Sequence, residues 1–326
     1  MTDDLFSRLG IATEMAKLER YIGGLVTSPA LVLSQPARHI LTAGGKRLRA
    51  ALVFLAARPA GGPVPETAIY AAAAVELIHA ASLVHDDLID QSPHRRGRPA
   101  IHEKWHHDVA LLSGDYLFAL AARAITLTGS VAVMDHISAA AAAVCEGEIT
   151  NVDEIEPLEE ALESYRFKIA HKTAALFEAA GKVGAVCGRA DAETVAAIGR
   201  FGHALGMAFQ IVDDVLDYVG DEGTLGKPAG GDLRRGLITL PLIYAAAYDD
   251  PDGFLRHTVH RFGDTLTPEE IAQALHQVKA SSGPKRARQD AENYRHEGLQ
   301  YLALVPADKD RDSLTEIAQL VVERNC

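Results

Sequence analysis

Apolar residues, many of them alanine, recur at intervals of three and four along almost the whole chain, with charged residues on the positions between. That is the period of a helix packed on one side. No stretch shows the alternation and β-branched enrichment of a strand, so the expected fold class is all-α. The pattern is broken at Gly44-Gly45, Pro59 to Pro65, Gly97 to Pro99, Gly129, Pro157, the glycine-rich run from Gly220 to Gly236, Pro251 to Gly253 and Gly283-Pro284. These breaks read as connections between helices, and a single large helical domain over residues 1–326 is expected. Two helix starts are explicit: Thr267-Pro268-Glu269-Glu270 and Ser313-Leu314-Thr315-Glu316 both match a capping box.

The longest apolar stretch, Thr67 to Val84, is interrupted by Glu76 and His79 and runs into aspartates, so it reads as a buried helix and no transmembrane segment is expected. Hydrophobic residues make up 48% of the chain, enough to build a core. A formal charge of -12 argues against a nucleic-acid partner, whose phosphates demand a basic face. Cys145, Cys187 and Cys326 are odd in number and far apart, and the start Met1-Thr2-Asp3-Asp4 lacks the positive charge of an export signal. A cytoplasmic location with three reduced thiols is expected. Cys326 lacks the three following residues of a prenylation box.

The chemistry concentrates in Asp86-Asp87-Leu88-Ile89-Asp90 and Asp213-Asp214-Val215-Leu216-Asp217. On a helix the first and last aspartates of each cluster share a face, and no lysine or arginine precedes any of the six by one turn. Each cluster also closes its helix, before Ser92-Pro93 and before Gly220, where the helix dipole is negative and disfavours anions by roughly 0.3–1 kcal/mol. Such a concentration of carboxylate calls for a cation. Mg²⁺ suits it, because that ion takes only one or two carboxylates and completes its shell with water and phosphate oxygens.

Basic clusters supply the other half: Gly44-Gly45-Lys46-Arg47-Leu48-Arg49, His94-Arg95-Arg96-Gly97-Arg98, and the run containing Lys227, Arg234 and Arg235. Guanidinium forks and lysine point charges bind diphosphate oxygens, and paired glycines let the backbone approach them. Acid and base together point to the departure of pyrophosphate. His102-Glu103-Lys104-Trp105-His106 satisfies the HExxH pattern of a zinc hydrolase. It follows a proline, however, and has no convincing third ligand nearby, so that reading is set aside.

From Gly44 to Pro241 the chain resembles the trans-type polyprenyl diphosphate synthases, on GGKRLR, ELIHAASLVHDDLID, HRRGRP, GDYLFA, Gly147-Glu148, KTAALF, FQIVDDVLD and GKPAGGDLRRGLITLP. The resemblance implies an antiparallel helical fold around a central cavity, the isoprenoid synthase fold, with three Mg²⁺ ions, an allylic diphosphate and isopentenyl diphosphate as substrates, and a homodimer. Asp86, Asp87, Asp90, Asp213, Asp214 and Asp217 would bridge Mg²⁺ to the allylic diphosphate, with Arg95, Lys172 and Lys227 as its basic partners. Lys46, Arg49, His79 and Arg96 match positions that hold isopentenyl diphosphate, and Thr173 and Gln210 match polar groups beside the cationic carbons. Leu237 stands where the family often has lysine, and Ala50 where it often has proline.

Product length follows from the same resemblance. Ala81 and Ser82, five and four places before the first aspartate cluster, would form the floor under the growing tail, with Ile78 and Val75 beyond. Small side chains there imply a product of twenty carbons or more, with thirty to fifty expected. A geranylgeranyl diphosphate synthase would be the short end of that range. A terpene cyclase shares the fold but usually lacks the second cluster and the isopentenyl-binding bases. Non-catalytic subunits of heteromeric synthases tend to lose aspartates that this chain retains.

Overall fold

The computed structural model describes residues 2–58, 62–220, 229–262, 266–306 and 309–324. The described residues are helical almost throughout. In order they form α1 (Thr2–Arg8), α2 (Ala12–Leu25), α3 (Leu31–Leu41), α4 (Leu48–Ala57), α5 (Glu66–Ile89), β1 (His94–Arg95), β2 (Arg98–Pro99), α6 (Ile101–Trp105), α7 (His107–Thr128), α8 (Val131–Ile149) and α9 (Leu158–Ile169). A π-helical turn (Ala170–Ala174) leads into α10 (Ala175–Cys187), α11 (Ala192–Val219), α12 (Gly231–Arg234), α13 (Leu240–Tyr248), α14 (Phe254–His260), α15 (Pro268–Ala280), α16 (Gly283–Leu302) and α17 (Lys309–Val322).

The chain divides into two compact units. The first comprises residues 1–144, 175–203 and 299–317, and centres on α5, which packs along α7 and against α4 and α10. Alanines at 71–74, 80 and 81 keep the wall of α5 flat and let its neighbours approach closely, all of them buried. The second comprises residues 145–174, 204–298 and 318–326, with α13 packed on α9, α14 and α15 around Tyr165, Tyr218, Ile243, Leu255 and Val278.

Among the described residues, three helices, α5, α7 and α11, are long and apolar enough to cross a membrane. In α5, 72% of the apolar window is buried within the protein itself, which is the buried helix the sequence predicts.

Two local expectations fail. The two-residue antiparallel ladder of β1 and β2 pairs His94 with Pro99 and Arg95 with Arg98, too short to leave an alternating pattern in sequence. Its turn, Arg96-Gly97, has positive φ at both residues, as a type I′ hairpin requires. The Thr267 capping box forms as read, with Thr267 Oγ1 accepting from Glu270 N and Glu270 Oε2 accepting from Thr267 N. Ser313, by contrast, lies inside α17 rather than at its start. The helix begins a turn earlier, where buried Asp310 lies 3.0 Å from the Arg58 guanidinium. An anion at a helix N-terminus, neutralised by arginine, is the stronger start signal.

Candidate active site

Both aspartate clusters end their helices as the sequence predicts. Asp90 follows the last residue of α5, its N–H donating to the Asp86 carbonyl. Asp87 is only 3% exposed, and one of its oxygens accepts both Nε and Nη2 of Arg95. A carboxylate so buried would be strongly disfavoured without that partner. The hairpin thus folds back onto the cluster, joining an expected metal ligand to an expected diphosphate base.

Above it on α5, in the same unit, His79 lies amid guanidinium groups. Burial and then Arg49, Arg96, Arg47 and Arg95 push its pKa well below the ordinary value, so it stands neutral at pH 7 as a hydrogen-bonding group and not a charge. Lys46 is exposed and Arg49 partly so, the latter over the Phe177 ring at 4.4 Å. Arg47, Arg49, His79, Arg95 and Arg96 therefore belong to one basic neighbourhood of the first unit, and Lys46 directly precedes Arg47 in the loop before α4. On α5, Ile78 and Ala81 are buried and Ser82 is partly exposed, its hydroxyl donating to the His79 carbonyl.

The second cluster is described within its own unit. Asp214 is 4% exposed, and its carboxyl is pushed well above the usual carboxylate range, first by burial and then by the neighbouring Asp232. Tyr165 OH donates to Asp214 Oδ2 at 2.6 Å, and Gln210 Nε2 donates to Oδ1 at 2.8 Å. Thr173 Oγ1 in turn donates to Gln210 Oε1 at 2.7 Å. Thr173, Gln210 and Asp214, three residues of the expected reaction centre, are therefore linked directly by hydrogen bonds, and Tyr165, which the sequence pattern does not single out, donates to Asp214 from the other side. Asp217 accepts from Asp232 N at 2.8 Å, and its carbonyl accepts from Gly230 N. Arg234 and Arg235, the described part of the last basic run, follow on α12 and just after it; Lys227 lies outside the described residues.

Lys172 sits in the π turn, a helical irregularity common at functional sites. Its ammonium pairs with Glu148. Gly147 explains how: a Cβ there would lie 2.3 Å from Lys172 N, so only glycine lets α8 come this close. Arg324 is a further residue that the sequence pattern does not single out. It donates to Asp213 at 2.7 Å and to the Phe209 carbonyl, with its guanidinium over the Phe209 ring. Leu237 lines a cavity of about 430 Å³ in the same unit, together with Lys168, Arg235 and Phe262.

The donor set fits a hard divalent cation. Asp213, Asp214, Asp217 and Asp232 are oxygen donors, and the Asp214 carboxyl, raised first by burial and then by the Asp232 charge, is one that a nearby cation would help to ionise. Among the described residues no three acidic, histidine or cysteine groups converge on a common point. An ion held here would therefore share its shell with substrate oxygens or water.

The HExxH reading does not survive. α6 ends at Trp105, and His106 has φ +77, which turns it off the helix face that His102 occupies. Two zinc ligands one turn apart need an unbroken helix.

The polyprenyl synthetase family matches residues 30–278, a span that contains both aspartate clusters and every basic motif. The chain belongs to this family. Heptaprenyl diphosphate synthase component 2 of Geobacillus stearothermophilus is 35% identical to this synthase over 315 residues, 97% of each chain. A polyprenyl synthase of Caulobacter crescentus CB15, solved with calcium and isoprenyl diphosphate, matches with a TM-score of 0.91 at 34% identity, covering 100% of this chain and 98% of its own. A decaprenyl diphosphate synthase of Rhodobacter capsulatus gives 0.89 at 35% identity and covers 100% of both chains. The all-α isoprenoid synthase fold is therefore borne out, and the chain is a prenyltransferase that uses a divalent metal.

Tyr165 is buried and its hydroxyl has an ionisable partner, so its removal is readable. Tyr165→Phe is expected to lower kcat by roughly 10–100-fold, the worth of a hydrogen bond to a charged group, with little change in either KM. Steady-state kinetics at saturating substrates checks it, and unchanged kcat would make Tyr165 packing alone.

Proposed function

We propose that this prenyltransferase condenses isopentenyl diphosphate with an allylic diphosphate, repeatedly, to release a polyprenyl diphosphate of thirty to fifty carbons. The observation that carries the reading is the family match over a span holding both aspartate clusters and all the basic motifs. Relatives named heptaprenyl and nonaprenyl diphosphate synthases support the length, as do the small side chains of Ala81 and Ser82.

Asp86, Asp87, Asp90, Asp213, Asp214 and Asp217 would hold Mg²⁺, three ions by the family's pattern. Bound there, the ions would supply Lewis-acid stabilisation of the departing pyrophosphate. Arg95, Lys172 and Lys227 neutralise the same charge with guanidinium and ammonium groups. Lys46, Arg49, His79 and Arg96 seat isopentenyl diphosphate, His79 as a neutral hydrogen-bonding group. Thr173 and Gln210 offer oxygen to the allylic cation. The carbon–oxygen bond of the allylic diphosphate breaks, the isopentenyl double bond attacks, and a proton leaves to the released pyrophosphate.

The active form is proposed to be a cytoplasmic homodimer. The free thiols of Cys145 and Cys187 suit a reducing compartment. Leu111 and Leu112 on α7, with Val131 and Met134 on α8, are exposed and suit cover by a second copy. The test uses the purified chain alone, with Mg²⁺, isopentenyl diphosphate and ten-, fifteen- or twenty-carbon primers. Mass measurement of the dephosphorylated products should show thirty to fifty carbons, chelation should abolish them, and sedimentation should give twice the chain mass. Products ending at twenty carbons would overturn the length. A requirement for a second polypeptide would overturn the homodimer.

A further inference from the structure

Helix α4 starts without a cap of its own. Its N-cap residue is Arg47, whose side chain has no oxygen to offer, and no side-chain cap bond is made by that residue. The loop before it is held in an unusual backbone: φ is +84 at Gly44, +150 at Gly45 and +47 at Arg47. Left-handed backbone at an arginine is strained and persists only where the surroundings enforce it.

The enforcing group is Glu76, on a different helix. It is only 3% exposed in the apolar body of α5. Glu76 Oε1 accepts from the Ala50 N–H at 3.2 Å, serving the start of α4 as an N-cap oxygen would, and Oε2 accepts Arg47 Nη1 at 2.9 Å. Arg47 is held on two more sides, by Glu19 Oε1 at 2.9 Å and the Leu41 carbonyl at 3.1 Å. One buried carboxylate thus fixes both the first turn of α4 and the residue between Lys46 and Arg49.

The same carboxylate lies one helical turn from His79. Gly45 also receives the Arg96 guanidinium: a Cβ at that position would lie 2.9 Å from Arg96 Nη1. Arg47, Arg49, Arg95 and Arg96 all act on His79, and Glu76 acts on both Arg47 and Arg96 with the opposite sign. It is the anion that lets so many guanidinium groups gather.

We propose that Glu76 is the positioning residue of the isopentenyl diphosphate subsite. Acting through Arg47 and the α4 N-terminus, it sets the directions of Lys46 and Arg49 without touching the substrate, whose phosphates its charge would repel. This rests on the subsite assignment made above.

The experiment measures isopentenyl diphosphate binding by calorimetry without primer, both KM values, kcat and Tm. The variants are Glu76→Gln, which keeps an acceptor for Ala50 N but loses the charge on Arg47, Arg47→Ala, and the pair combined. Each single variant should weaken isopentenyl diphosphate binding roughly tenfold, with allylic KM and kcat at saturation within about twofold. The double variant should be no worse than the worse single, because both break one contact. Equal losses for the two substrates, or a lowered Tm with intact isopentenyl diphosphate binding, would overturn the proposal. Should Glu76→Gln not fold, Arg47→Ala reads the same contact. Lys46→Ala and Arg49→Ala separate the two layers of inference. If they leave binding intact, the subsite assignment fails; if they weaken it while Glu76→Gln and Arg47→Ala do not, the positioning role alone fails.

Discussion

Asp214→Asn is expected to give a protein that melts higher and makes almost no product. The wild-type carboxyl is pushed above its usual range by burial and by Asp232, so its ionised form weighs against the folded state. Asparagine has the same shape, still accepts from Tyr165 OH with its one oxygen, can donate its amide N–H to Gln210 once that side-chain amide turns over, and carries no charge. The expected gain is about 2–4 °C in Tm at pH 7 in metal-free buffer. The sign follows from the direction of the shift: the penalty sets in as pH rises past the ordinary carboxylate value, so the two proteins should converge below about pH 4. Activity moves the other way. Losing one of the carboxylates proposed above to hold the metal should cost several kcal/mol, or roughly a thousandfold in kcat. Added Mg²⁺ should raise the Tm of the wild type and do less for the variant. Calorimetric melts with and without Mg²⁺, beside turnover measurements, check both halves. A variant that stays active would remove Asp214 from the metal site.

Ala81→Phe is expected to shorten the product to twenty carbons or fewer. Ala81 is fully buried on α5, a turn from Ile78, and a ring at that position would close the path assigned to the tail. Overpacking there costs typically 1–3 kcal/mol, so Tm should fall. Ser82→Phe separates the two effects, because Ser82 is partly exposed and accepts a ring with less strain. Chromatography of dephosphorylated products at matched turnover reads the length directly. If both folded variants keep the parent product, Ala81 and Ser82 are not the floor.

Much of this was legible in the chain because helices announce themselves locally. The three-and-four spacing, the breaker residues and the aspartates at two helix ends all depend on residues within a turn or two of each other. So does the Thr267 capping box, which formed as read. The features that escaped depend on distant partners. Tyr165 looked like one more aromatic because its acceptor, Asp214, lies 49 residues on. Glu76 read as an interruption of an apolar run, since nothing near it in sequence shows Arg47 and Ala50 converging on it. Arg324 is remote from Asp213 in sequence and beside it in space. The false start at Ser313 teaches the converse: a local motif yields when a buried ion pair, Arg58 with Asp310, fixes the helix earlier.

The turn at Arg96-Gly97 carries one more consequence. Asparagine is the residue best suited to the first place of such a bend, and arginine there is a poor conformational choice. A selection for thermal robustness alone would drift toward Asn-Gly at this point, discarding a cation next to Gly45. On the role proposed for Arg96, the hairpin is a place where hardiness and turnover pull on one codon in opposite directions, and stabilised versions of this enzyme should be built around it, not through it.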